Sequence, residues 1–245
     1  MKYIVTITCL CILVVSCSFA LAAPAGIDIL TKAMSLHKSV RDYTATVQVT
    51  TNLPDVEIPD RTAKVYVKPP DKAFVESRGI VFIPKRALLF GDLAKEIGKG
   101  ANVTLIGTSK SGGKTVYALK IIPKNPPQNP PQGKRPGSTG TPRILTWVNG
   151  SNWTLQKMEV YDGAKLAVRV NFSYIQTQGV WMPAKVSASV PKGVLGSASE
   201  GRVELAFSNY KLNVGLTDEF FKKKEAEQAR TRQRQSPHRP RHPMR

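Results

Sequence analysis

Residues 165–174 alternate in character: Leu166, Val168, Val170, Phe172 and Tyr174 fall on one side, and Lys165, Arg169, Asn171 and Ser173 on the other. A period of two is the signature of an extended strand with one face against a core and one in water. The same pattern recurs at Ala45, Val47 and Val49 and again at Ala63, Val65 and Val67, each set interleaved with polar residues. Further strands are expected at 72–77, 102–107, 115–122, 144–148, 153–161, 180–190 and 202–212. Such a chain can build an antiparallel sheet with one continuous apolar face, and that face must be covered.

The connections agree. Ser111-Gly112-Gly113, Asn149-Gly150 and Asp162-Gly163 are hairpin turns, and Pro69-Pro70-Asp71 breaks one strand from the next. Asn52 to Asp60, with two prolines, reads as a turn region. Gly26 to Arg41 reads as an amphipathic helix, with Ile29, Leu30, Ala33 and Met34 at helical spacing. A short helix is expected over Arg86–Lys95, and a last one after Thr217, where Thr217 is an N-cap candidate. The expected class is α+β, mainly β: a large antiparallel sheet of about ten strands with helices on one side.

The ends lie outside that core. Lys2, the apolar run Ile4–Val15 and Ala20-Leu21-Ala22 form a signal peptide over 1–22, which predicts an exported, periplasmic protein. Val14-Val15-Ser16-Cys17 also fits a lipobox, which would make the protein a membrane-anchored lipoprotein through Cys17. Cleavage after Ala22 removes all three cysteines, so stability must come from a core rather than from disulfides. Residues 123–142 are a Pro/Gly-rich insert, read as an exposed hairpin loop rather than a domain linker.

The chain carries 36 basic and 17 acidic residues, net +19. Residues 222–245 hold nine basic and two acidic residues and three prolines, and are expected to be a largely disordered basic tail. An anionic membrane surface is its candidate partner. Nucleic acid is not, because no aromatic residue is interleaved with the charges after Phe221.

Catalytic chemistry finds little support. Only His37 lies between the signal peptide and the tail, and no Gly-x-Ser-x-Gly elbow is present. His238 and His242 are four residues apart, but Pro237, Pro240 and Pro243 prevent the helix that would align them on a metal. Gly113-Lys114-Thr115 lacks the glycine that a phosphate loop needs at position 108, which is Thr108. No enzyme, cofactor or metal is expected.

The ordered set of segments resembles the superfamily of the outer-membrane lipoprotein carrier LolA, the receptor LolB and the RseB-type envelope sensors. It is carried by the leading helix before Tyr43-Thr44-Ala45-Thr46-Val47, and by Ala63 to Pro70 and Trp153 to Gly163. Gln178 to Pro183 and Val203 to Tyr210 complete it, with Asn213 and Phe220 beyond. The similarity spans nearly all of 26–221, so residues 23–221 read as one lipid-binding domain.

The resemblance implies a strongly curved half-open barrel whose concave face is covered by helices, with lipoprotein acyl chains or other lipids held between sheet and lid. The implied cavity residues are Val47, Val49, Val65, Val67, Val75, Leu105, Val168, Val170, Phe172, Val203, Leu205 and Phe207. Ile29, Leu30, Ala33 and Met34 would line the lid helix. The carrier's lid arginine is replaced here by Lys68, which loses the planar fork. Two functions follow as alternatives: a carrier for sorting to the outer membrane, or an envelope sensor that binds a protein partner or lipids.

Overall fold

The computed structural model describes residues 24–53, 56–79, 81, 83, 88–89, 100–124, 142–193 and 199–235. The signal-peptide segment, the helix expected over Arg86–Lys95 apart from Leu88 and Leu89, most of the 123–142 insert and the last ten residues lie outside them.

Helix α1 spans Gly26–Ser35 and helix α2 Asp218–Gln235. The ten strands are β1 (Tyr43–Leu53), β2 (Val56–Lys68), β3 (Lys72–Ser77), β4 (Ala101–Ser111), β5 (Lys114–Pro123), β6 (Pro142–Asn149), β7 (Leu155–Asp162), β8 (Lys165–Thr177), β9 (Val180–Val190) and β10 (Gly201–Leu212). They form one antiparallel sheet in the order β3-β2-β1-β10-β9-β8-β7-β6-β5-β4. The run from β4 to β10 is a meander, and the β1–β3 segment joins it by pairing β1 with β10. The sheet is open, with β3 and β4 at its edges. Six of its nine ladders carry a register shift. An extra residue on one strand raises the local twist, and repeated around a wide sheet this curls it toward a half-open barrel.

Two turns fit the sequence closely. Gly112 and Gly113, at φ 57° and 74°, close the β4–β5 hairpin as a two-residue loop between Ser111 and Lys114. This left-handed pair is what a primed turn requires. Asn149-Gly150 instead opens a longer loop, which ends when Trp153, at φ 59°, turns the chain and its N–H donates to the Asn149 carbonyl at 2.7 Å. β5 and β6 pair directly, so the 123–142 insert connects neighbours in one sheet.

The expected turn region over Asn52–Asp60 differs from the structure, where β2 already begins at Val56. β3 pairs with β2 only from Ala63 onward. Pro59 falls where the β1–β2 register shifts between Val49 and Thr51, and a proline, which has no N–H to give to a ladder, is tolerated at such a bulge.

One face of the sheet, the inner face, carries the main core. Val47, Val65, Val67 and Met182 are fully buried there together with Tyr43, Leu88 and Leu89. The Tyr43 hydroxyl donates to the Leu88 carbonyl at 2.7 Å, and burial pushes its pKa well up. A second cluster lies at the other end of the same face, where Ile29, Leu30 and Ala33 of α1 cover Leu119, Ile121 and Val148. The apolar stripe of α1 therefore does what its spacing predicts.

α2 packs on the opposite, outer face. Phe221 is buried against Tyr66 and Phe74, with Phe220 5.0 Å from the Tyr66 ring. Two adjacent phenylalanines make a small apolar plug rather than a long stripe, so α2 suits a local aromatic pair and not the broad inner surface. The helix continues to Gln235, into the segment expected to be a disordered tail. Residues 222–235 hold no proline or glycine and are rich in Lys, Glu, Gln, Ala and Arg, all strong helix formers.

Candidate functional site

The register lays out the inner face row by row. One row runs Ile58, Thr51, Val203, Ala188, Val170, Met158, Thr146, Leu119, Leu105 from β2 to β4. Beside it run Val168, Val160, Ile144, Ile121 and Val103. On the other side Arg61, Val49, Leu205, Val186 and Phe172 form a third row.

Burial is uneven along these rows. The β1–β3 end is sealed by Leu88 and Leu89, and the β4–β6 end by α1. Between the seals, Met158, Val160, Val168, Val170, Phe172 and Ala188 are only half-buried, although every one faces the same side as the two cores. They belong to neither packed cluster. This strip is a run of half-buried apolar residues that joins neither packed cluster, and it is the candidate site.

The structure divides the cavity residues implied by the resemblance into three groups. Val47, Val49, Val65, Val67, Leu205 and Phe207 are interlocked in the packed cluster, with Val75 and Val203 half-buried at its margin. Leu105 lies in the α1 cluster. Val168, Val170 and Phe172 lie on the strip. Of the four lid residues, Ile29, Leu30 and Ala33 are buried under α1 and Met34 is half-buried. Met158, Val160 and Ala188 were missed. The alternation of Met158 and Val160 with Lys157 and Glu159 was the available signal, but only the pairing with β8 shows which face they share with Val170.

α1 is held by an aromatic clamp as well as by its apolar stripe. Tyr117 stacks on Trp153 with centroids 6.1 Å apart and planes 6° from parallel, and Lys32 of α1 caps Trp153 at 4.6 Å. Just beyond the helix, His37 sits against β9 and its Nε2 donates to the Trp181 carbonyl at 2.9 Å. Burial lowers the His37 pKa, with the carbonyl bond opposing that shift. The ring is thus engaged in joining α1 to the sheet.

Lys68 does not reach the lid. It points to the outer face and donates to Asp218 of α2 at 2.7 Å, and Lys72 grips the other carboxylate oxygen. Hydrogen bonds from Lys68 and Lys72 hold the Asp218 pKa down to about 2. Further along α2, Lys224 bonds Glu76, which also accepts from the Tyr66 hydroxyl, each at 2.8 Å. Lys68, which the resemblance places at the lid, instead anchors the C-terminal helix here. Among the described residues no group of three or more His, Cys, Asp or Glu side chains could hold a metal ion.

A ten-stranded open antiparallel sheet with a helix inside one end defines the fold, a half-open sheet of the LolA-like kind. Solved structures share the fold. A DUF1329 family protein from Desulfovibrio piger is 16% identical, with 80% of this chain and 95% of that chain covered at a TM-score of 0.56. A domain from Vibrio parahaemolyticus described as outer membrane lipoprotein-sorting is 17% identical, with 81% and 96% covered at 0.52. Lower similarity is found with a LolA superfamily protein from Nitrosomonas europaea, at 17% identity, 81% and 98% coverage and a TM-score of 0.49. No curated protein matches the sequence. A family model described as "Uncharacterized protein" matches residues 86–228, more than half of the chain, and the chain belongs to that family.

Proposed function

We propose that the protein is an exported, non-enzymatic carrier that holds the acyl chains of lipoproteins or other lipids on the inner strip of its sheet. The observation that carries this reading is the half-burial of Met158, Val160, Val168, Val170 and Phe172 between two sealed cores. Each methylene removed from water contributes about 0.8 kcal/mol, so an acyl chain of about sixteen carbons represents roughly 10 kcal/mol of driving force. A surface of Val, Met and Phe collects that energy without directional bonds and lets the chain leave for a better apolar partner. The lipoprotein-sorting description of the Vibrio relative supports the same cargo. The engagement of His37 with Trp181 supports a role without catalysis.

Displacement of a neutral naphthylamine probe by hexadecanoate measures the site directly. Val170→Asp places a charge in the middle of the strip and is expected to weaken binding at least tenfold while the circular dichroism of the protein stays unchanged. Binding that survives the substitution would move the site elsewhere.

The free end of α2 supports a second element of this proposal, adsorption to an anionic bilayer. Residues 225–231 are exposed on every side, and so are Lys222 and Lys223. Glu227 lies 4.0 Å from Lys224, on the docked side of the helix. Positions 223, 230 and 234, seven and four residues apart, fall on one stripe. A helix polar all round does not insert in a bilayer, but it can lie against lipid phosphates. Each basic residue near such a surface contributes about 1 kcal/mol, so Arg230→Gln is expected to reduce partitioning onto phosphatidylglycerol vesicles about fivefold. Equal partitioning onto neutral vesicles would exclude the electrostatic contact.

A further inference from the structure

The half-buried row ends beside a cation. Along β2 the inner positions are Val67, Val65 and Ala63, and the next in that alternation is Arg61, directly opposite Val49. The register then shifts, and Ile58, paired with Thr51, opens the row that runs through Val203, Ala188, Val170 and Met158. Ile58 is 41% exposed, and the others in that row are half-buried. A path of half-buried, largely apolar surface, interrupted only by Thr51, therefore reaches from Met158 to the strand that carries Arg61.

The other strand arginines are each engaged by a neighbouring side chain, Arg143 over the Tyr161 ring at 4.5 Å. Arg169 pairs with Glu159 at 3.0 Å and Arg202 with Glu200 at 3.6 Å. Among the described residues Arg61 has no carboxylate partner. Its neighbour Asp60 turns the other way, accepting from the Thr50 hydroxyl at 3.0 Å, and Thr50 alternates outward from buried Val49. The Arg61 guanidinium carbon lies 3.9 Å from the point a Cβ on Gly79 would occupy, so the group reaches past the end of β3 at the rim of the sheet.

A guanidinium with no carboxylate partner among the described residues, at the end of such a path, complements an amphiphile with one anionic head. Its planar fork presents two parallel donors to a carboxylate or phosphate. Strands lie about 4.8 Å apart, so Val170, four strands from Ile58, is about 19 Å away, a span that an extended chain of about sixteen carbons covers.

We infer that the strip takes amphiphiles with an anionic head, carboxylate or phosphate, and that Arg61 is the residue that selects for the head. The inference rests on the acyl-binding reading above and adds a polarity to it: tail toward β7 and β8, head at β2.

Competition against the neutral probe separates the two. Hexadecanoate, a monoacyl phosphatidate and hexadecanol share similar tails and differ in the head. The intact protein is expected to bind the two anions about tenfold tighter than the alcohol, in line with a hydrogen bond to a charged group. A carboxylate-only or phosphate-only preference identifies the source of the head. Arg61→Gln should bring the anions to the affinity of the alcohol and leave the alcohol unchanged, and Arg61→Lys should restore part of the difference. Equal binding of anions and alcohol by the unsubstituted protein, or an Arg61→Gln variant that weakens all three alike, overturns the inference alone. Failure of all three to displace the probe overturns the acyl-binding reading and the inference with it.

Discussion

Replacing Leu119 with alanine is expected to lower stability by about 3 kcal/mol, while Val168→Ala on the same inner face should cost less than about 1 kcal/mol. Leu119 is fully buried, and α1 closes over it through Ile29, Leu30 and Ala33. Truncation there removes three methyl-sized groups and leaves a cavity that neither helix nor sheet can fill. Val168 is half-buried and belongs to neither core. The methyls it loses already face partial solvent, so little burial is forfeited and no closed void forms. Urea denaturation of the two variants measures the difference. Equal losses would mean that the strip is packed as tightly as the cores, and with that the case for a binding surface falls. Equally small losses would mean that α1 does not seal its end.

The alternation of Val47, Val65 and Val168 with polar neighbours made both the sheet and its apolar face legible in the sequence. Which part of that face is filled was not legible. All twelve implied cavity residues face inward, yet Val47, Val65 and Val67 are sealed because Leu88 and Leu89 reach them from a distant stretch of chain. Alternation reports the face of a strand and carries no information about what lies over it. The same gap hid Arg61. It reads as a break in the apolar pattern of β2 until the pairing with Val49 shows it on the inner side, next to a register shift that brings Ile58 to the same face.

The helices show the complementary limit. α1 stops at Ser35 rather than Arg41, because two tight turns, Lys38 N–H to the Ser35 carbonyl and Val40 N–H to the His37 carbonyl, swing Val40 into the other core. Periodicity alone continued across that change of partner. For α2 the composition of the tail, dominated by charge and distal prolines, obscured a segment of strong helix formers. Its root is fixed by Asp218, Phe221 and Lys224, each bonded or packed to a residue of β2 or β3 that no local pattern links to it.

Gly26→Val is expected to destabilise the protein by about 3 kcal/mol and to loosen the end of α1 that lies on β4. Gly26 is the first residue of the helix, and a Cβ there would stand 2.8 Å from the Leu105 nitrogen, 3.0 Å from the Thr104 carbonyl carbon and 3.0 Å from the Val103 oxygen. All three are backbone atoms of a strand already bonded to β5, so the strand cannot yield and the helix must. Removing a helical glycine gains about 0.5 kcal/mol in propensity, less than the clash costs. A tilt at Gly26 would propagate through one turn to Ile29 and Leu30 and expose part of Leu119 and Ile121. Hydrogen exchange should therefore accelerate in β4 and β5, and acyl ligands should exchange faster. Gly107→Ala is the control: it is also in β4, its Cβ would meet nothing within 4 Å, and its φ is not left-handed. That substitution should be neutral within about 0.5 kcal/mol. If Gly26→Val were as mild as the control, the close approach of helix and strand would not be what holds α1 over its end of the sheet, and its seal would have to rest on the Lys32–Trp153–Tyr117 stack instead.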